Sequence, residues 1–236
     1  MQNHNIDFDI CGIIIDLLLI TTILCIKHDK TWRAKIYLIL TINVFIAQVL
    51  NIVTVFAETY LPPSLAGFNN FLAVIHILAV NSQPSVYCLF LIAMTTTRKR
   101  LNKIKLALLF TPAIIEFIVI CTSPFHHKLM YFLQDGTYHH GEWWNFLYIL
   151  AALYTAFGFF FLLYKKEQFT KSQIIICLSY TILAIFSYAI QAAFPKLFAT
   201  GFAVSISVLL IYLSIRNPSR FIDSKLKIFN VEAFID

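Results

Sequence analysis

Seven apolar stretches, each long enough to cross a membrane, constrain the fold of this chain more than any other feature. A hydrocarbon core about 30 Å thick requires about 20 mainly apolar residues in a helix. The stretches comprise residues 8–26, 36–56, 65–94, 104–121, 144–164, 172–193 and 197–215. We therefore predict an all-α integral membrane protein in which residues 1–215 form a bundle of seven transmembrane helices.

The composition supports lipid as the solvent for most of the chain. Of the 236 residues, 59% are hydrophobic and 13% are charged, whereas soluble domains carry about 25% charged residues. The chain has only 6 glycines and 7 prolines. This scarcity favours long helices over a transmembrane barrel, whose short alternating strands are separated by turn residues.

The basic residues predict the orientation of the bundle. Cytoplasmic loops of membrane proteins are enriched in Lys and Arg. With the N-terminus outside, sixteen basic residues lie on the cytoplasmic side and only Lys128 and Lys196 lie outside. The sixteen are Lys27, Lys30, Arg33, Lys35, Arg98, Lys99, Arg100, Lys103, Lys105, Lys165, Lys166, Lys171, Arg216, Arg220, Lys225 and Lys227. We predict a multi-pass protein of the inner (cytoplasmic) membrane with a cytoplasmic C-terminus. Because this orientation accounts for the net charge of +6, we predict no nucleic-acid partner.

No motif in the chain indicates catalysis. A phosphate-binding loop, a zinc-protease motif and a nucleophile with a paired base are all missing from the sequence. The last stretch, residues 197–215, contains no lysine that could hold retinal as a Schiff base. We therefore expect no enzymatic activity and no cofactor.

Five polar residues within the apolar stretches are the candidate ligand-binding residues: Asp16, Gln48, Asn51, His76 and Glu116. An ionisable side chain that faces lipid costs about 2.5 kcal/mol or more, so such residues usually face the bundle interior. They either form a polar pocket between the first four helices, in which Asp16 and His76 could pair, or make interhelical hydrogen bonds that fix the packing. The sequence leaves both interpretations open.

Four histidines stand in the long segment between the fourth and fifth stretches. His126, His127, His139 and His140 form two adjacent pairs. Neighbouring histidines rarely bind one ion together, and no acidic or cysteine framework accompanies them. We therefore predict no metal site, although zinc binding by this segment is the alternative.

Two segments resemble a known family. In the first, a Pro124-Phe125-His126 turn is followed by a Gly-x-Tyr-x-x-Gly pattern at residues 136–141. It resembles the outer loop of the seven-helix N-terminal sensor module of bacterial membrane diguanylate cyclases, which carry GGDEF domains, and of histidine kinases. The second, in the tail, resembles the start of a GGDEF domain. Asp223, Phe229, Asn230, Ala233 and Phe234 fit that start, whereas Leu226, Lys227 and Val231 depart from it.

The resemblance implies a receptor module that passes an extracellular or membrane-borne cue to a cytoplasmic signalling domain, with an output of the cyclic-di-GMP type. Residues 216–236 would then be a cytoplasmic linker into a GGDEF-like output domain that is missing here. Besides the lipid bilayer, the expected partners are a small-molecule ligand, the output domain and, as one compatible assembly, a second copy of the chain. The alternative function is a small seven-helix transporter of a solute, although the two halves of the chain show no internal repeat.

Overall fold

A computed structural model describes residues 6–25, 31–96, 103–133, 138–193 and 199–215, and these ranges contain seven α-helices. The helices are α1 (Asp7–Cys25), α2 (Trp32–Tyr60), α3 (Ala66–Thr95), α4 (Lys103–His126), α5 (Trp144–Tyr164), α6 (Lys171–Ala193) and α7 (Thr200–Ile215). The first five are long and apolar enough to cross a membrane, and α6 and α7 contain shorter apolar segments. The prediction of an all-α, seven-helix membrane protein is confirmed.

Two helices extend by four or more residues beyond the predicted spans. The α2 helix begins four residues early, where the hydroxyl of Thr31 caps it by accepting a hydrogen bond from Ala34 N at 3.3 Å. The α4 helix continues five residues past the predicted end, to His126. Glu116, which is five residues from the end of its predicted span, therefore lies near the middle of the helix.

The helices form a closed arrangement in chain order. Each helix packs against the next one along the chain, and α7 returns to pack against α1 and α2. The α3 helix also packs against α5. On one side of the bundle, α3 therefore lies between α2 and α4.

Apolar side chains occupy both the interior and the outer surface of this bundle. Fully buried residues include Leu40, Val44, Phe90 and Leu162. Large apolar side chains are also exposed along most helices, including Leu18, Ile118, Phe160 and Ile175. A water-soluble protein rarely exposes so continuous an apolar surface, and the surface matches the lipid environment predicted from composition.

Tyrosine hydroxyls connect neighbouring helices through backbone carbonyls. Tyr37 in α2 donates to Val208 O in α7 at 2.7 Å, and Tyr87 in α3 donates to Cys177 O in α6 at 2.6 Å. A helical carbonyl has a second lone pair that can accept such a bond. In an environment without water, these bonds satisfy the buried hydroxyls.

Tyr154 in α5 inserts its hydroxyl into the hydrogen-bond ladder of α4. It donates to Leu109 O at 2.7 Å and accepts from Ala113 N at 3.0 Å. Leu109 O and Ala113 N would be direct partners in a regular helix. Pro112 stands between them, and because proline has no backbone N–H it cannot donate a helical hydrogen bond itself. Next to Pro112, the hydroxyl of Tyr154 in α5 therefore bridges two backbone groups of α4.

A small β-hairpin lies between α4 and α5, where the sequence predicted only a loop. Strand β1 (Met130–Phe132) pairs antiparallel with β2 (Tyr138–His140). Ser123 near the end of α4 fixes the hairpin, because its hydroxyl donates to Met130 O at 3.1 Å and accepts from Met130 N at 2.9 Å. The aromatic and histidine residues of this segment are thereby arranged on a defined scaffold.

Candidate functional site

A buried polar cluster connects α1, α2 and α7. Gln48 Nε2 donates to Asp16 Oδ2 at 2.8 Å and to Ser205 Oγ at 2.7 Å. Ser205 Oγ in turn donates to Asp16 Oδ2 at 2.9 Å. All three side chains are at most 2% exposed. One carboxyl oxygen is therefore shared by donors from two other helices.

A second carboxyl–amide pair lies close to the first. Asn51 Nδ2 in α2 donates to Asp9 Oδ2 in α1 at 2.7 Å, and both residues are buried. Gln48 and Asn51 are three residues apart and share one face of α2. The two pairs thus extend along the contact between α1 and α2, and Asp16, Gln48 and Asn51 lie together as the sequence predicted.

Two glycines make room for the Gln48 side chain. A Cβ atom on Gly12 of α1 would collide with Gln48 Oε1. A Cβ atom on Gly201 of α7 would lie 2.8 Å from Gln48 Cγ and 2.9 Å from Asp9 Oδ1. Both α1 and α7 therefore approach the amide more closely than a larger residue would allow.

The cluster retains unused hydrogen-bonding capacity. Among the described residues, Asp16 Oδ1 and Gln48 Oε1 are buried and have no hydrogen-bond partner. A carboxyl oxygen without a donor is costly at membrane depth. The cluster could therefore change state by taking up a proton or a donor group, which would alter how α7 is held against α1 and α2.

A groove of about 360 Å³ lies between α2, α3 and α4, apart from this cluster. Glu116 in α4 lines it together with Asn81 and Ser82 in α3. Glu116 is only 4% exposed, and its Oε1 atom has no hydrogen-bond partner among the described residues. Asn43 in α2 donates to Ser82 Oγ at 2.8 Å behind these residues. The five candidate residues therefore do not share one pocket.

His76 belongs to neither site. It is half-buried in α3 and does not line the groove. The predicted pairing of Asp16 with His76 is wrong, because the hydrogen bonds of Asp16 go to Gln48 and Ser205. The expected network of the first four helices accordingly separates into an α1–α2–α7 cluster and an α2–α3–α4 groove.

Sequence reasoning missed the contributions of Ser205 and Asp9. A small polar residue such as Ser205 is a typical interhelical contact in membranes, so its position within the last apolar stretch was a usable signal. Asp9 stood near the predicted edge of its span, where a carboxyl can reach water. Its burial depends on Asn51, which no pattern within α1 indicates.

The hairpin histidines take part in ring packing. His140 stacks on Trp144 with 3.8 Å between ring centroids, and Tyr131 stacks between His127 and His139. Burial, with a smaller contribution from His139, lowers the pKa of His140. Burial and the nearby Glu58 and Tyr148 raise the pKa of Tyr138. Within the described ranges, no group of three or more His, Cys, Asp or Glu residues is placed to hold a metal ion.

Comparison with known proteins gives one informative match. No curated protein and no solved structure matches the chain. A family model described as the N-terminal 7TM region of histidine kinase matches residues 10–221, which include all seven helices except the first three residues of α1. The histidine-kinase part of the sequence resemblance is thereby confirmed, whereas the relation to GGDEF proteins stays a prediction. The chain, a multi-pass membrane protein with seven helices, belongs to the family of N-terminal seven-transmembrane regions of histidine kinases.

Proposed function

We propose that this chain is the sensor module of a membrane histidine kinase, which detects an extracellular or membrane-borne cue and passes it to a cytoplasmic output domain. In this proposal the N-terminus is outside, and residues 216–236 lead from α7 into the output domain. The bundle itself carries no enzymatic activity. A cyclic-di-GMP output is a narrower alternative that depends on Asp223 and the other tail residues, which lie outside the described ranges.

The observation that carries this proposal is the attachment of α7 to the buried cluster. The hydroxyl of Ser205 in α7 is hydrogen-bonded to both Asp16 and Gln48. Three residues further along α7, the carbonyl of Val208 accepts from Tyr37. A change in the charge or hydrogen bonding of Asp16 would act directly on the helix that precedes the proposed output domain. Coupling between two sites requires such a shared element with more than one arrangement.

The proposal is tested with Ser205→Ala in the gene product that carries this chain. We expect histidine autophosphorylation in membrane vesicles to change at least about fivefold, in either direction, because coupling energies are typically 1–3 kcal/mol. Ser207→Ala is the matched control. Ser207 is equally buried in α7, but among the described residues its hydroxyl bonds only within the helix, to Ala203 O at 2.8 Å.

Unchanged phosphorylation in a well-folded Ser205→Ala protein would contradict signal transfer through this cluster. If Ser207→Ala changed phosphorylation by the same factor, the cluster would have a packing role and no specific part in signal transfer. The transporter alternative has a separate outcome: accumulation of a solute by liposomes that contain the purified chain.

A further inference from the structure

The groove lined by Glu116 lies at the middle of the membrane-spanning helices. Glu116 is ten residues from the C-terminal end of α4, or about 15 Å along the axis at a rise of 1.5 Å per residue. Asn81 is close to the midpoint of α3, and Ile46 is close to the midpoint of α2. A ligand that reaches Glu116 therefore enters the depth of the hydrocarbon core.

The groove opens towards the lipid. Its rim includes Ile46 of α2 and Phe117 of α4, which are 44% and 55% exposed. The deeper wall is formed by α3, with apolar side chains such as Leu78. An apolar molecule dissolved in the bilayer can thus enter from the side, without crossing the headgroup end of the bundle.

One residue that lines the groove, Glu116, has a carboxyl oxygen with no hydrogen-bond donor within the described ranges. Glu116 is only 4% exposed, and no other described group donates a hydrogen bond to its Oε1 atom. The one ion pair found in those ranges, Lys128 with Glu142 at 3.8 Å, lies on the segment between α4 and α5. A buried carboxyl without a hydrogen-bond donor or a counter-charge is strongly disfavoured in an apolar medium.

We propose that this groove binds a lipid-soluble molecule whose apolar body carries one hydrogen-bond-donating head group, either an ammonium or a hydroxyl. The head group bonds to Glu116, with Ser82 and Asn81 as the neighbouring polar groups, and the apolar body lies against α3. The volume of about 360 Å³ is at the small end of known ligand pockets. The idea that this ligand is the signalling cue rests on the proposed sensor function. The binding of such a molecule in the groove does not depend on that function.

Binding is measured on the purified intact chain in lipid nanodiscs by thermal unfolding. The probes are octylamine, octanol and octane, which share a chain length and differ in the head group. A ligand at about a hundredfold excess over its Kd stabilises a protein by about 2.7 kcal/mol, which raises the Tm of a protein this size by about 5–10 °C. We expect such a rise with octylamine or octanol, and whichever probe acts identifies the head group. An equal rise with octane, or none with any probe, would overturn the proposal.

Variants distinguish binding in the groove from general partition into the bilayer. Ala79→Leu narrows the groove, and we expect it to abolish the rise in Tm; Ala107→Leu, on an exposed part of α4, is the matched control and keeps it. Should Ala79→Leu fail to fold, Glu116→Gln replaces it and lowers the rise with octylamine. A full rise in Ala79→Leu, or in Glu116→Gln with octylamine as the active probe, would refute this site. These measurements involve no phosphorylation, so they can fail while the Ser205 test succeeds, and the reverse.

Discussion

Gly12 and Gly67 stand in contrasting surroundings, although both are helical glycines. A methyl group on Gly12 would enter the space of Gln48 Oε1, while a methyl group on Gly67 would meet no atom within 4 Å. Gln48 cannot move aside freely, because its amide nitrogen is bonded to both Asp16 and Ser205. The space at Gly12 is therefore part of the polar cluster.

Gly12→Ala should destabilise the bundle. Overpacking at a tight site typically costs about 1–3 kcal/mol, which corresponds to a fall in Tm of several degrees for a chain of this length. Gly67→Ala is the control and should leave the Tm unchanged or slightly raised, because alanine is the better helix former. Thermal unfolding of the purified variants in detergent measures both effects. A Gly12→Ala protein as stable as the control would show that Gln48 has room to rearrange.

At the residue scale, the sequence predicted which side chains are buried better than it predicted their partners. The high cost of lipid exposure was sufficient to place Asp16, Gln48 and Asn51 in the interior. The partner of Asp16 could not be predicted, because α1 is apolar around most of its circumference and does not indicate which face meets which helix. The bond to Ser205 spans 189 residues of sequence, and it depends on the return of α7 to α1.

At the scale of elements, Tyr154 links α3, α4 and α5 next to Pro112 of α4. Its hydroxyl bridges Leu109 and Ala113, and its carbonyl accepts a bond from Cys88 Sγ in α3 at 3.2 Å. The bridging hydroxyl comes from another helix, so no local pattern in α4 could reveal it. Ala113 also lines the groove, about one turn from Glu116.

Tyr154→Phe should weaken the α4–α5 contact. It removes a donor and an acceptor from a buried position, and a buried group left unsatisfied costs about 1–3 kcal/mol. Tyr164→Phe, on an exposed position of the same helix, should change stability by no more than about 0.5 kcal/mol. Unfolding of the two variants, followed by circular dichroism, measures the difference. Equal stability of both variants would mean that Leu109 O and Ala113 N are satisfied without the hydroxyl.

At the scale of the whole molecule, hydropathy predicted the number and the approximate limits of the helices. That success has a simple cause: each span must satisfy its backbone hydrogen bonds internally and must be about 20 residues long, so each helix leaves its own local signal. The packing order left no such signal, since the helices are apolar on faces that meet protein and on faces that meet lipid. The α2–α3–α4 groove arises from that packing order and could not be predicted from any single span.

The orientation of the bundle remains a prediction from the basic residues, and it has a direct test. Single cysteines at positions 102 and 134, on a background from which all five native cysteines are removed, would be treated with an impermeant thiol reagent in intact cells. With sixteen basic residues on one side and two on the other, we expect labelling of Gln134→Cys and none of Asn102→Cys. Permeabilised cells serve as the control, in which both should react. The opposite pattern in intact cells would place the N-terminus in the cytoplasm, and α7 would then lead out of the cell and away from any cytoplasmic kinase domain.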